Sequence, residues 1–130
     1  MSYAVMMSAK EQHEALQAAV RMLFSWGVDP ARTTRILNVD AHSLEGLSNP
    51  SSGNELYTDD QLCRADLVIG FGEIISALFQ NPVNLRNFAS LPNKNAGFDG
   101  RSLLDVMENC DTTEWQCVYM TFKAQTMNPW

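Results

Sequence analysis

Basic side chains are scarce in this chain of 130 residues: nine Lys and Arg stand against fifteen Asp and Glu, a formal charge of −6. A dedicated nucleic-acid binder carries a basic face, so that class is disfavoured, although a local basic patch is still allowed. The acidity instead suits a partner with a positively charged active site. Charged residues of both signs reach only 18% against 45% hydrophobic. That balance argues against wholesale disorder and supplies the apolar mass for one ordinary domain or two small helical units. Cysteine is limited to Cys63, Cys110 and Cys117, an odd count with no Cys-x-x-Cys pair or His/Cys cluster. A disulfide framework and a structural zinc site are poor readings of it, and buried reduced thiols in a cytoplasmic protein fit better. No long apolar run occurs: the richest stretch, 67–79, is broken by Gly70, Gly72 and Glu73 and falls far short of a membrane span. Met1-Ser2-Tyr3-Ala4-Val5-Met6-Met7 lacks the basic and apolar regions of a secretory signal. Strand alternation and internal repeats are absent too.

What remains is a succession of helix signals. Ser8 and Glu11 have capping-box spacing, and Leu16, Ala19, Val20, Leu23 and Phe24 follow as one apolar face. Trp26-Gly27 ends that helix, with Gly27 free to take a left-handed cap. Asp29-Pro30 opens a second helix through Leu37, which Asn38 closes. A third runs from Asp40 to about Leu47 with Leu44 and Leu47 inward. Three short helices with a tight turn between the last two suggest a helix-turn-helix unit. The stretch 49–54 is a loop by composition and the best boundary, giving an N-terminal unit 1–54 and a C-terminal unit 55–130. Thr58 with Gln61 caps a long helix, apolar nearly all round, that should be the central buried one. Its Gly70 and Gly72 each cost about 1 kcal/mol of helix propensity, which close packing of another helix, or of a partner subunit, would explain. Asn81-Pro82 opens a helix with Leu85 and Phe88 inside. Ser102 and Asp105 open a short one burying Leu103, Leu104, Val106 and Met107. Asp111 caps the last, with Glu114 as box partner and Trp115, Val118, Tyr119 and Phe122 as its stripe. A tail follows from Thr126.

Catalytic chemistry finds little support. Only His13 and His42 are present, neither beside a nucleophile motif. His13, between charged residues, reads as a solvated surface side chain. Asp59-Asp60 complements the dipole at a helix start. The chain is read as a non-enzyme with no catalytic residue, metal or cofactor.

Several pieces in a fixed order carry more. Leu23-Phe24-Ser25-Trp26-Gly27-Val28 precedes Arg35-Ile36-Leu37-Asn38-Val39. Then come Glu73-Ile74-Ile75-Ser76-Ala77-Leu78-Phe79-Gln80-Asn81-Pro82, Phe88 and Leu91-Pro92-Asn93. Phe98-Asp99-Gly100-Arg101-Ser102-Leu103-Leu104-Asp105-Val106-Met107 closes the series. From Leu16 to Met107 this order resembles the Xre/MbcA/ParS family of antitoxins. Its pattern has a Trp-Gly step before a helix-turn-helix, a long helix ending Leu-Phe, an aromatic before Pro-Asn, and a Gly-Arg-(Ser/Thr)-Pro-Leu turn. The resemblance implies an all-α fold in which the helix-turn-helix-like unit packs on a C-terminal toxin-binding unit. It implies the antitoxin half of a type II toxin–antitoxin pair, covering the active-site cleft of a RES-domain, NAD-consuming toxin. It also implies dimerisation, or hetero-oligomer formation with the toxin, and operator binding by the N-terminal unit.

Carried over position by position, Pro92, Asn93, Gly100 and Arg101 occupy the signature loop of the toxin-binding domain. The same loop is also an ordinary turn, with Asn93 making an Asx-turn and Gly100 supplying a positive φ. Phe98 is an anchor on the partner or, the favoured reading, a plug into its own core. Trp130 could enter the toxin cleft, or it could be a mere chain end. Two departures stand out. Leu103 takes the place of the family's Pro after Ser102. The would-be recognition helix, Asp40 to Leu47, carries two acids and no Arg or Lys. Contacts to DNA are therefore expected to be weak, limited to Arg32, Thr33, Thr34, Arg35, His42 and Ser43. The leading reading is an antitoxin; the alternative is a dimeric helix-turn-helix regulator of its own operon, and a third is an adaptor module.

Overall fold

The structure is a computed structural model that describes residues 7–47, 56–95 and 97–127. It is all-α: seven helices and no strand occur among the described residues. They are α1 (Ala9–Ser25), α2 (Pro30–Leu37), α3 (Ala41–Leu47), α4 (Asp59–Leu78), α5 (Pro82–Ser90), α6 (Leu103–Asn109) and α7 (Thr112–Met127). The chain divides into two compact units, Met1–Ile69 and Gly70–Trp130.

Local hydrogen bonds set the helix ends of the first unit. Ser8 Oγ accepts the Glu11 N–H at 3.1 Å and Glu11 Oε1 accepts the Ser8 N–H at 3.2 Å, the reciprocal box expected from their spacing. At the other end of α1, Gly27 takes φ +83°. The Val28 N–H then reaches the Leu23 carbonyl at 3.1 Å and the Gly27 N–H reaches that of Phe24 at 3.0 Å. This is a Schellman closure, and Leu23 and Val28, which it brings together, are both buried. Asp29 Oδ1 caps α2 through the Arg32 N–H at 2.8 Å, with Pro30 in the first turn. Asn38, at φ +58°, ends it. Asp40 Oδ1 accepts the Ser43 N–H at 2.7 Å and starts α3. Helix α3 packs on both α1 and α2. Leu16, Leu23, Ile36, Leu37, Leu44 and Leu47 are buried.

The division between the units falls inside α4, between Ile69 and Gly70, and the loop expected at 49–54 lies outside the described residues. The physical reason is a set of hydrogen bonds that ties the segment from Tyr57 to Arg64 into the first unit. Gln12 Oε1 accepts the Tyr57 N–H at 2.9 Å. Gln61 Nε2 donates to the Asn38 carbonyl at 2.8 Å, and Arg64 Nη1 to the Ile36 carbonyl at 3.0 Å. His13 corrects its sequence reading: it is buried, and its Nδ1 lies 3.2 Å from the Tyr57 hydroxyl. The ring occupies the inward face of an otherwise charged stretch of α1.

An aromatic cluster organises the second unit. The Phe98 ring meets Phe122 edge-on at 5.5 Å between centroids, Phe88 edge-on at 6.2 Å and Phe71 at 6.3 Å. Phe71 also meets Tyr119 edge-on at 5.2 Å. Such offset and edge geometries are the favourable ones for aromatic pairs. The Tyr119 ring fills the space beside Gly70, where an added Cβ would stand 2.8 Å from its hydroxyl. Gly70 thus has the close helix contact that its presence in a helix suggested.

Ser102 and Asp105 form their capping box, and Leu103, Leu104, Val106 and Met107 are buried as expected. Helix α5 differs: Ala89 is its buried residue, while Leu85 and Phe88 are half-buried. One side of Phe88 joins the cluster and the other borders an open groove. Helix α7 extends through Thr126 to Met127, so the tail begins later than its composition suggested.

Gln12→Ala leaves the buried Tyr57 N–H without its acceptor. We expect a loss of about 1–3 kcal/mol in denaturant unfolding. Faster hydrogen exchange at the Tyr57 amide should accompany it.

Candidate partner-binding site

The stretch 91–101 begins as an exit from α5 and ends as the cap of α6. Two backbone bonds close it: the Asn93 N–H to the Arg101 carbonyl, and the Gly100 N–H to the Asn93 carbonyl, each 3.1 Å. Asn93 Oδ1 accepts the Asn95 N–H at 2.8 Å, the Asx-turn its identity suggested. Gly100 takes φ +79°, a conformation that β-carbon sterics make costly for other residues.

Arg101 holds this loop from within. Its Nε donates to the Phe98 carbonyl at 2.8 Å and its Nη2 to that of Gly97 at 3.4 Å. Its Nη1 donates to Glu114 Oε1 at 3.0 Å and to Cys110 Sγ at 3.1 Å. Hydrogen bonds from the Cys110 thiol and from Arg101 hold the Glu114 carboxyl below the usual glutamate range. Burial pushes the Cys110 thiol up, and the neighbouring carboxylate adds to it. That combination makes Cys110 a poor nucleophile. Glu114 therefore does not close a capping box with Asp111, although Asp111 Oδ1 does cap α7 through the Glu114 N–H at 2.8 Å. None of the three cysteines forms a disulfide; Cys63 is buried, Cys110 half-buried and Cys117 exposed.

Of the signature residues, the structure brings Pro92, Asn93, Phe98, Gly100 and Arg101 into this one loop. Their roles diverge. Phe98 is wholly buried and plugs its own unit, while Asn93 is nearly so and shows only a small surface, at the edge of the groove described next. The Arg101 donors are engaged within the unit, by the loop carbonyls, Cys110 and Glu114. Pro92 and Gly100 are exposed, as is Leu91 at 54%. Leu91 and Pro92 border an open groove of about 360 Å³ whose other walls include Phe79, Asn84, Phe88 and Lys94. Sequence reasoning did not assign these wall residues to a site, although Phe79 and Phe88 stood in the motif order that carried the resemblance. Trp130 lies outside the described residues.

The residues named for DNA contact differ in exposure. Thr33 is fully buried, with its hydroxyl donating to the Asp29 carbonyl at 2.9 Å, and is withdrawn from any phosphate-contacting role. The Thr34 hydroxyl donates to the Ala31 carbonyl at 2.6 Å. Arg32 and Ser43 are half-buried, Arg35 and His42 exposed. The Ser43 backbone hydrogen bond holds the exposed Asp40 carboxyl below its ordinary value, so α3 starts on a firmly ionised acid. Thr34 and His42 instead border a second, more apolar groove of about 750 Å³ in the first unit. No group of His, Cys, Asp and Glu suited to a metal ion, and no helix long and apolar enough to cross a membrane, occurs among the described residues.

No protein-family model matches the chain, and no curated protein or solved structure matches it either.

The depressed Glu114 carboxyl stabilises the fold above the ordinary glutamate value of 4.5. That contribution is lost as pH falls through the lower, folded-state value. We expect Glu114→Gln to shrink the stability difference between pH 7 and pH 3 measured in urea. In alkylation at pH 8, Cys117 should react first and Cys110 should lag behind it; equal rates would contradict the bonding described.

Proposed function

We propose that this chain is an antitoxin that binds a cognate RES-domain toxin in the cytoplasm and occludes its NAD-consuming active site. The ordered series of motifs from Leu16 to Met107 supports this reading. The observation that carries it is the construction of the loop 91–101. Arg101, Asn93 and Phe98 are all turned to internal use, and Leu91 and Pro92 stand exposed beside a groove. A preorganised apolar projection binds with little ordering cost, as suits a tight protein–protein contact. Mechanistically, the protein inhibits by covering the cleft and contributes no chemistry of its own. Pro92 and Gly100 join Leu91 as contact residues, Arg101 acts as the positioning residue behind them, and Trp130 is a second contact. The complex is a hetero-oligomer, with antitoxin dimerisation as part of it.

The alternative is a dimeric helix-turn-helix regulator of its own operon, favoured by the short turn from Asn38 to Asp40 that joins α2 to α3. An acid-capped α3 without Lys or Arg weighs against it, because phosphate neutralisation supplies most of the affinity for DNA.

Co-expression with the adjacent open reading frame tests the first reading. The neighbour should stop growth alone, and this chain should restore growth and co-purify with it. Leu91→Asp should abolish rescue while leaving the melting temperature unchanged, whereas Arg101→Ala should lose both rescue and stability. A non-toxic neighbour that does not co-purify would refute the antitoxin reading. Salt-dependent nanomolar binding to promoter DNA would favour the alternative.

A further inference from the structure

The groove of the first unit is floored and walled by Phe24 of α1, Ala31 and Thr34 of α2, and Ala41, Leu44 and Glu45 of α3. Phe24 is 40% exposed although it belongs to the apolar stripe of α1. The exposed Ala31 and Ala41 bring no bulk to cover it. This apolar surface lies inside a concave groove, where a partner's apolar side chains find cover from water. We propose that this groove docks a short basic amphipathic helix of a protein partner, with apolar anchors against Phe24 and Leu44 and a Lys or Arg opposite Glu45.

The geometry favours a helix over an extended peptide. All the walls are helices, which expose at most the N–H groups of a first turn and so present no ladder of alternating free N–H and C=O groups to an added strand. A helix satisfies its own backbone and needs only apolar anchors at i, i+3 or i+4, and i+7. The charge pattern favours a basic partner. No Lys or Arg lines the groove, and Glu45 has no ion-pair partner among the described residues. Asp40 adds a second negative charge at the start of the same helix. Opposite potentials of this kind steer association and select against acidic partners. The groove shares no lining residue with the loop 91–101, and its test does not depend on the reading given to that loop.

The probe is a fluorescein-labelled, amidated peptide of about 15 residues, long enough to hold a helix, with Leu on one face and Lys on the other. A twin carries Glu for Lys. Anisotropy titrations use the full chain. The Lys peptide should bind saturably, and the Glu twin at least about tenfold more weakly. Ala41→Arg, which thrusts a long cation into the groove, should weaken the Lys peptide by a similar factor. Glu45→Lys should reverse the preference between the twins, and it tests the site even where Ala41→Arg does not fold. The exposed Met120→Lys of the second unit should leave both titrations unchanged. No saturable binding of the Lys peptide, or binding indifferent to Glu45→Lys, would overturn the proposal. So would Ala41→Arg abolishing self-association, which would make a second copy of this chain the occupant. Promoter DNA that shifts the Ala41 and Glu45 amide resonances would assign the face to nucleic acid instead.

Discussion

The Arg101 guanidinium donates to two loop carbonyls, a thiol sulfur and a carboxylate, and through them it decides where Phe98 goes. Phe98 in turn is the ring that Phe71, Phe88 and Phe122 share. A loop rich in turn residues would otherwise have little reason to carry a large apolar side chain inward. The guanidinium is about one-third exposed, so its ion pair with Glu114 is partly screened and contributes modestly by charge alone. Its larger effect is geometric. Planar donors with fixed directions hold the Phe98 and Gly97 carbonyls and α7 in one arrangement, which lysine could not reproduce.

The first unit is organised by different means. Its helices stop and start on short-range caps, and its buried polar residues, Gln12 and His13, serve to hold Tyr57. That connection crosses more than forty positions of sequence, from α1 to the entrance of α4. It explains why a helix that begins in one compact unit ends in the other: its first turns are fastened by side chains, its later ones by aromatic packing.

The two grooves differ in chemistry as much as in place. One, beside Leu91 and Pro92, has carboxamides and Lys94 along an aromatic wall. The other, between the short helices, is apolar with a carboxylate at its edge. An acidic protein with little basic surface gains most by meeting proteins, and both grooves leave apolar surface open for that.

The sequence by itself determined the helices and their ends. Ser8 with Glu11, Asp29 with Pro30, Thr58 with Gln61 and Ser102 with Asp105 act over about one helical turn, so their bonds follow from spacing alone. The same holds for the Asx-turn at Asn93 and the positive φ at Gly27 and Gly100. The motif order supplied the loop, but not the division of labour within it. Only the tertiary structure decided that Arg101 turns inward to Glu114 and Cys110, that His13 is buried against Tyr57, that Thr33 is lost to the interior, and that Phe24 and Leu91 stay open. Those outcomes depend on which helix faces arrive opposite one another. Periodicity shows that a face is apolar, but not which partner covers it or leaves it bare.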